Sequence, residues 1–229
     1  MSTIAILAAA GRGDRLGKPK QLLDLGGKPL AAWSLELFER AGSVSAIYIA
    51  CESDDRTRFQ EVASEYAPSK VRGIVAGGAT RQASVHAALS AVLPVPQLVL
   101  VHDGARPFLT LDVVDRVIAA SHHGVSAVAA VPMKDTIKQA QGTAVERTIE
   151  RASLWAAQTP QVFPYDVLVA AHVQALNDGF TGTDDASLVE RLGAPVNLVM
   201  GSYGNIKVTT PDDLELARMM AEKMQAPLR

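Results

Sequence analysis

The chain has 229 residues, of which 48% are hydrophobic and 20% are charged, a composition typical of a folded globular protein. Its formal net charge of −2 argues against a broad surface that binds nucleic acid. The single cysteine, Cys51, excludes an internal disulfide, and no apolar run approaches the roughly 18 residues that span a bilayer.

The first residues lead into the apolar run Ile4–Leu7 with no basic segment before it. A secretory signal peptide begins with such a basic segment. We therefore expect a soluble, cytoplasmic protein with no membrane partner.

Short apolar runs alternate along the chain with longer amphipathic segments. The apolar runs predict buried strands at Thr3–Ala9, Ala46–Cys51, Val71–Val75, Leu98–His102 and Ser126–Val131. The amphipathic segments predict helices at Pro29–Arg40, Asp55–Tyr66, Arg81–Leu93 and Asp112–His122. This alternation predicts an α/β fold with a mostly parallel sheet, in which ligands bind beyond the carboxyl ends of the strands.

The segment from Met133 to Arg151 interrupts this alternation. It is polar, and an alternating stretch followed by the turn residues Gln141-Gly142-Thr143 predicts a projecting β-hairpin. The α/β pattern then resumes with helices at Tyr165–Asn177 and Asp184–Leu192, a strand at Val196–Met200 and a final helix from Pro211. We expect one domain over residues 1–229, with an arm at residues 133–151.

A glycine-rich segment follows the first predicted strand. Gly11 and Gly13 lie among small residues that let backbone N–H groups approach a phosphate, and Arg15 and Lys20 add positive charge. The glycine spacing matches neither the dinucleotide-binding pattern nor the P-loop pattern. The segment therefore indicates phosphate binding in preference to a turn without a ligand.

A second polar segment opens the helix after the third strand. Arg81 and Ser84 are three residues apart, so they share one face at the start of this helix and could meet an anion or a base edge. A Gly-Gly turn at Gly78, with Thr80 as the helix cap, explains the same residues without a ligand.

A third polar segment closes the fourth strand. Asp103 lies where a carboxylate often faces a metal ion at the carboxyl edge of a sheet. An aspartate that caps the turn and pairs with Arg106 is the structural alternative. The five histidines show no metal-ligand spacing, so a soft-metal site is not indicated.

Taken together, these segments resemble the 2-C-methyl-D-erythritol 4-phosphate cytidylyltransferases of the non-mevalonate isoprenoid pathway. The resemblance runs from Ile4 to about Leu216 and rests on seven motifs in order. They are A-A-A-G-x-G-x-R, P-K-Q, G-G-x-x-R-x-x-S, H-D-x-A-R-P, D-T-I-K, T-P-Q and N-I-K-V-T-x-P-x-D. The resemblance implies a Rossmann-like sheet of the nucleotidyltransferase type with helices on both faces and a β-arm.

The resemblance also implies an enzyme that joins CMP from CTP to a polyol phosphate, and it implies roles for single residues. Those of the nucleotide loop are Ala9, Ala10, Gly11 and Gly13. Those that bound the cytosine are Gly78, Arg81 and Ser84. Those with a catalytic role are Arg15, Lys20, Arg151 and Lys207, the first two at the triphosphate and the last two at the incoming phosphate. Those that position the second substrate are Asp103, Arg106, Thr136, Thr159 and Thr183.

Mg²⁺, or Mn²⁺ in its place, is the expected cofactor, with Asp103 as its protein ligand. We also expect a homodimer formed through the arm, because an isolated hairpin is marginal in water and a symmetric pair is the commonest oligomer. In this arrangement Arg151 acts at the partner's site. An arm folded back on its own subunit is the alternative.

Three other functions are alternatives to this one. A related enzyme could act on another polyol phosphate, such as ribitol 5-phosphate. A nucleotide-binding regulatory module without catalysis is disfavoured because Arg15, Lys20, Asp103 and Lys207 are all retained. An NAD-binding dehydrogenase is excluded by the glycine spacing.

Overall fold

The computed structural model describes residues 2–11, 20–121 and 124–225. Its strands are β1 (Thr3–Ala9), β2 (Ala46–Cys51), β3 (Val71–Ala76), β4 (Leu98–Asp103), β5 (Ser126–Pro132), β6 (Ile137–Gln141), β7 (Ala144–Ile149), β8 (Trp155–Pro164) and β9 (Val196–Met200). Its helices are α1 (Leu30–Arg40), α2 (Arg56–Tyr66), α3 (Arg81–Ala91), α4 (Leu111–Ala120), α5 (Tyr165–Asn177), α6 (Asp185–Arg191) and α7 (Pro211–Gln225). The predicted elements are confirmed to within one or two residues where they are described; His122, the predicted end of α4, lies outside the described residues.

Seven strands form the central sheet in the order β3-β2-β1-β4-β8-β5-β9. The pairs β1–β2, β1–β4, β2–β3 and β5–β9 are parallel, whereas β8 is antiparallel to both of its neighbours. The chain therefore leaves β1 in both directions across the sheet. Such a reversal of strand order opens a crevice at the carboxyl edge, here between β1 and β4.

Helices cover both faces of this sheet, as predicted. Alternate residues of β1 point to opposite faces, so Leu7 packs with α1, α2 and α4, and Ile6 packs with α3, α5 and α6. Both side chains are fully buried. A smaller apolar cluster joins α7 to Leu25, Leu30 and Phe108. These three clusters make the carboxyl edge of the sheet a rigid platform.

The antiparallel strand β8 was not predicted from the sequence. Its residues Gln158, Thr159 and Gln161 are polar, and Pro160 cannot donate a ladder hydrogen bond, so this stretch has the composition of a loop. In the structure, the β5–β8 register shifts between Val128 and Ala130, and this irregularity accommodates the proline. The strand matters because it carries its polar residues to the end of β4.

The arm is a separate two-stranded sheet made of β6 and β7. The two strands pair in antiparallel register, with Ile137 opposite Ile149, and Gly142 turns the chain at φ 59°. Most side chains of the arm are exposed, and Val145 is 60% exposed. The predicted hairpin is thus confirmed, and it projects from the body with little of its surface covered.

No helix within the described ranges is both long and apolar enough to cross a bilayer.

Candidate functional site

Two cavities adjoin each other at the carboxyl edge of the sheet. The first has a volume of about 710 Å³ and lies over the ends of β1, β2 and β3, and the second has a volume of about 210 Å³ and lies over the start of β8. Three residues line both cavities, and we call them the shared wall: Arg81, Asp103 and Lys207. Among the residues that the structure describes, these charged side chains separate a group bound in one cavity from a group bound in the other.

The first cavity is bounded by a turn that only glycine can form. A Cβ atom at Gly77 would lie 2.3 Å from the Cβ of Ala10, and one at Gly78 would lie 2.5 Å from the Cβ of Ala83. The Oγ of Ser84 accepts the N–H of Gly78 at 3.1 Å and donates to the carbonyl of Thr80, the N-cap of α3, at 2.8 Å. Backbone and small side chains thus form this side of the cavity, which leaves room for a planar base.

Asp103 is the electrostatic centre of the shared wall. Its Oδ1 accepts from Nε of Arg81 at 2.9 Å, its Oδ2 accepts from Nζ of Lys207 at 2.8 Å, and Nε of Arg106 lies 3.7 Å from Oδ2. Burial would raise the pKa of Asp103, but the charges of Arg81 and Lys207 outweigh it and hold the pKa well below its usual range. One carboxylate thus orders three cations, which suits anionic ligands on either side.

His102 fixes the loop that follows β4. Oγ1 of Thr159 accepts the backbone N–H of Asp103 at 3.0 Å, so its hydroxyl proton is free to donate to Nδ1 of His102 at 2.9 Å. Nε2 then carries the ring proton and donates to the carbonyl of Arg106 at 3.0 Å. Burial lowers the pKa of His102 to about 4, so the ring is neutral near pH 7. The imidazole is a fixed connection between β8 and the Arg106 loop.

The loop that carries Lys207 is fastened to β8 and to Arg106. The fully buried Asn205 donates from its side-chain Nδ2 to the backbone carbonyl of Thr159 at 2.8 Å. The backbone carbonyl of Asn205 accepts from Nη1 of Arg106 at 2.7 Å. Gln158 donates from Nε2 to the carbonyl of Ser202 at 2.9 Å. These bonds place Lys207 opposite Asp103.

The structure gathers most of the predicted site residues into the two cavities. Those that line the first are Ala10, Gly11, Lys20, Gly78, Arg81, Ser84, Asp103 and Lys207. Those that line the second are Arg81, Asp103, Arg106, Thr159, Thr183 and Lys207. Ala9 is adjacent, but its side chain belongs to the core under α1, α2 and α4, and Ala8 faces the cavity instead. Gly13 and Arg15 lie outside the described residues.

Two predicted residues lie away from both cavities of their own subunit. Thr136 and Arg151 are exposed at the base of the arm and are absent from the described lining of either cavity. Nη1 of Arg151 donates to the carbonyl of Lys134. Within one chain, the arm therefore holds these two residues outside the site.

Several residues of the site were missed by the sequence reasoning. Gln21 and Glu52 line the first cavity, Gln158 and Gln161 line the second, and Asp185 binds Arg81 from behind. Gln21 lies directly beside Lys20 in the P-K-Q motif, and Gln161 ends the T-P-Q motif, so both motifs offered a signal. Glu52 directly follows β2, so its place at a strand end was also a signal. Asp185 had none, because only the tertiary fold brings it to the crevice.

The described residues do not form a self-contained metal site. They include no cluster of three or more histidine, cysteine, aspartate or glutamate side chains with the spacing of metal ligands. Asp103 and Glu52 are the carboxylates in the described lining of the first cavity. A hard cation that takes most of its ligands from phosphate and water fits such a site, since Mg²⁺ commonly binds through one or two carboxylates.

The family model of 2-C-methyl-D-erythritol 4-phosphate cytidylyltransferase matches residues 3–223. The enzyme of that name from Shouchella clausii is 45% identical over 100% of both chains, and that from Geobacter metallireducens is 45% identical over 95% of this chain and 96% of its own. The crystal structure of 4-diphosphocytidyl-2C-methyl-D-erythritol synthase from Anaerococcus prevotii superposes with a TM-score of 0.86 at 30% identity and covers 96% of each chain. The crystal structure of the cytidylyltransferase from Thermus thermophilus superposes with a TM-score of 0.82 at 36% identity, over 97% of this chain and 100% of that one.

Proposed function

Because the chain belongs to the 2-C-methyl-D-erythritol 4-phosphate cytidylyltransferase family, we propose that it transfers CMP from CTP to 2-C-methyl-D-erythritol 4-phosphate in the cytoplasm. The products are 4-(cytidine 5'-diphospho)-2-C-methyl-D-erythritol and pyrophosphate. The observation that carries this proposal is the shared wall, which separates a cavity large enough for a nucleotide from a smaller, cation-lined one. Two anionic substrates can react across such a wall.

The reaction joins one oxygen of the polyol phosphate to the α-phosphorus of CTP. A bond forms between that oxygen and the α-phosphorus, the bond from the α-phosphorus to the bridging oxygen breaks, and pyrophosphate leaves with that oxygen. A phosphate monoester is already anionic near neutral pH, so no general base is needed. The protein's contribution is to align the two phosphates and to stabilise the charge that develops between them.

The first cavity binds CTP. Lys20, together with Arg15 of the same glycine-rich segment of the sequence, neutralises the triphosphate and the leaving pyrophosphate. The turn at Gly77 and Gly78 and the helix start at Arg81 bound the cytosine, where backbone groups at fixed positions measure ring size. Because these groups are fixed, we expect CTP to be preferred over ATP and GTP.

The second cavity binds the polyol phosphate. Arg106, Thr159 and Thr183 line it, and Lys207 reaches it from the shared wall. Lys207 is 40% exposed and bound to a single carboxylate, so an incoming phosphate competes with Asp103 for its ammonium group. When Lys207 binds the phosphate, it draws the nucleophilic oxygen toward the CTP side of the wall.

Mg²⁺ is the proposed cofactor, and Mn²⁺ can replace it because both prefer oxygen ligands. When bound, it supplies charge neutralisation on the triphosphate. Asp103 is the protein residue that would hold it. The remaining ligands would be phosphate oxygens and water.

The proposed active unit is a homodimer in which each arm completes the partner's second cavity. Thr136 and Arg151 lie away from the cavities of their own chain, and exposed apolar side chains lie near the arm and on the edge strand β9. These are Val145, Trp155, Leu198, Met200 and Tyr203, each at least 38% exposed. Burial against a second copy would cover them and would bring Arg151 to a polyol phosphate.

The substrate assignment is tested by pyrophosphate release from each nucleoside triphosphate with a panel of polyol phosphates. We expect turnover with CTP and 2-C-methyl-D-erythritol 4-phosphate, and little with ATP or with ribitol 5-phosphate. Faster turnover with ribitol 5-phosphate would assign the chain to a related polyol phosphate. Nucleotide binding without turnover on any acceptor would favour a regulatory module.

The shared site is tested by subunit mixing. Arg151→Ala and Lys20→Ala proteins should each be nearly inactive, and their mixed dimers should regain activity at one of two sites, because that site takes Lys20 and Arg151 from different intact chains. Mixed dimers without regained activity would show that the arm acts on its own subunit. Arg147→Ala, on the same arm, is the matched control and should leave activity unchanged.

A further inference from the structure

A buried carboxylate lies behind the shared wall. The side chain of Asp185, at the start of α6, is 1% exposed and is not among the residues that line either cavity. Its Oδ2 accepts from Nη1 of Arg81 at 2.6 Å, and its Oδ1 accepts from Nε2 of His172 at 3.1 Å. Asp185 therefore contacts the site through Arg81 alone.

Arg81 is held between two carboxylates on different elements. Nε binds Asp103 on β4 and Nη1 binds Asp185 on α6, so both the position and the tilt of the planar guanidinium are fixed. Nη2 is buried and has no hydrogen-bond partner among the described residues. Without Asp185, the guanidinium would keep its hydrogen bond from Nε to Asp103 and could rotate about it.

Asp185 is itself held in place by a polar side chain of β8. Oε1 of Gln161 accepts the N–H of Ala186 at 3.1 Å, and its Nε2 donates to Oδ2 of Asp184 at 2.7 Å. Burial would raise the pKa of Asp185, but the charge of Arg81 and the hydrogen bond from His172 lower it, so the carboxylate stays ionised. The anion that faces Arg81 is thus charged and immobile.

We propose that Asp185 is a positioning residue for the transfer reaction, which acts by holding Arg81 in the shared wall so that Oδ2 of Asp103 is left to order Lys207 and Arg106. Without Asp185, Asp103 would be the one carboxylate facing Arg81, Arg106 and Lys207 together, and the two arginines would compete for it, since Arg106 already lies 3.7 Å from Oδ2. Asp185 provides Arg81 with a second anion, so Arg81 needs only Oδ1 of Asp103. This inference rests on the proposed function, because it assigns Asp185 a part in the same reaction.

The test is a double-mutant cycle of Asp185→Asn and Arg81→Met, with kcat and KM measured for both substrates and a thermal melt for each protein. If Asp185 acts through Arg81, Asp185→Asn lowers kcat/KM about 10- to 100-fold, as loss of a supporting partner does, and has no further effect in the Arg81→Met background. A purely structural role would lower only the melting temperature and leave kcat per folded molecule unchanged. An equal loss of kcat/KM in the wild-type and Arg81→Met backgrounds would show that Asp185 acts independently of Arg81. Either of those results overturns the proposal.

The chain offers a matched control and a milder variant. Asp178 directly follows α5 and pairs with Arg191 of α6 at 3.0 Å on the surface, so it connects the same two helices as the bond between His172 and Asp185. Asp178→Asn should therefore leave both kinetic constants unchanged. If Asp185→Asn does not fold, His172→Leu removes one hydrogen bond from Asp185 and His172→Gln keeps a donor. The proposal requires that His172→Leu lower kcat/KM and that His172→Gln restore it; equal values for the two would contradict it. An inactive wild-type protein would instead reject the proposed function.

Discussion

Replacing Asp103 with asparagine removes the one anion that three cations of the site share. Arg81 and Lys207 each lose a charge-assisted hydrogen bond at 2.9 Å and 2.8 Å, and Arg106 loses an ion pair at 3.7 Å. The asparagine amide can also place an N–H group against a cation. We expect the variant to fold, because Asp185 still compensates Arg81 and the core does not involve residue 103.

The expected cost in stability follows from burial. Breaking a buried ion pair costs about 3–5 kcal/mol. The side chains of Arg81 and Lys207 are 26% and 40% exposed, so water screens part of their attraction to Asp103. We therefore expect the variant to lose about 2–3 kcal/mol of folding free energy. In a protein of this size that corresponds to a fall in melting temperature of about 4–12 °C. We expect kcat/KM to fall roughly 10²-fold, because Arg81 and Lys207 are no longer aligned.

The pH dependence separates this account from a packing defect. The folded-state pKa of Asp103 is depressed, so its ion pairs stabilise the protein above the unfolded value of about 3.9 and are lost as the pH falls through the folded pKa. The difference in melting temperature between the wild-type protein and Asp103→Asn should therefore be constant from about pH 6 to pH 9 and should narrow below about pH 4. A difference that persists at low pH would refute the electrostatic reasoning. Asp112→Asn, from an exposed pair with Arg116, should change stability by less than about 0.5 kcal/mol.

Three further predictions concern the nucleotide cavity. Lys20→Ala should keep the fold and lower kcat by on the order of 10²–10³, measured by pyrophosphate release; near-normal turnover would remove Lys20 from the mechanism. Gly77→Ala should raise the KM for CTP at least about 10-fold, because its Cβ would lie 2.3 Å from that of Ala10, whereas Gly42→Ala, with no atom within 4 Å, should not. Excess EDTA should abolish activity and added Mn²⁺ should restore it, and full activity in EDTA would contradict the metal assignment.

How far the sequence predicts the fold is illustrated by β1 and β8. Strands such as β1 are continuous apolar runs that pack on both faces, and their composition alone identifies them. Strand β8 carries glutamines, a threonine and a proline in its middle, because Gln158, Thr159 and Gln161 line the second cavity instead of joining the apolar core. The requirements of the site override strand propensity there, so composition indicates a loop.

The candidate site was predictable where a motif lies next to a strand end, as at Gly78 and Asp103; Lys207, in a loop after β9, was indicated by its motif alone. It was not predictable where a contact joins distant parts of the chain. Asp185 is 104 residues from Arg81, and Asn205 is 46 residues from Thr159, yet both contacts are direct. Buried carboxylates and amides of this kind can be assigned only once the fold shows which cation or carbonyl they face.

The most direct test of the central claim is ³¹P NMR of the complete reaction of the wild-type protein with CTP and 2-C-methyl-D-erythritol 4-phosphate. Direct attack of the polyol phosphate on the α-phosphorus predicts two coupled diphosphate signals of a cytidine diester and one pyrophosphate for each CTP consumed. Starting from a polyol phosphate labelled with ¹⁸O in its phosphate, the label should appear in the diester and be absent from the pyrophosphate. Release of orthophosphate, or of CMP and pyrophosphate with the polyol phosphate unchanged, would contradict transfer across the shared wall.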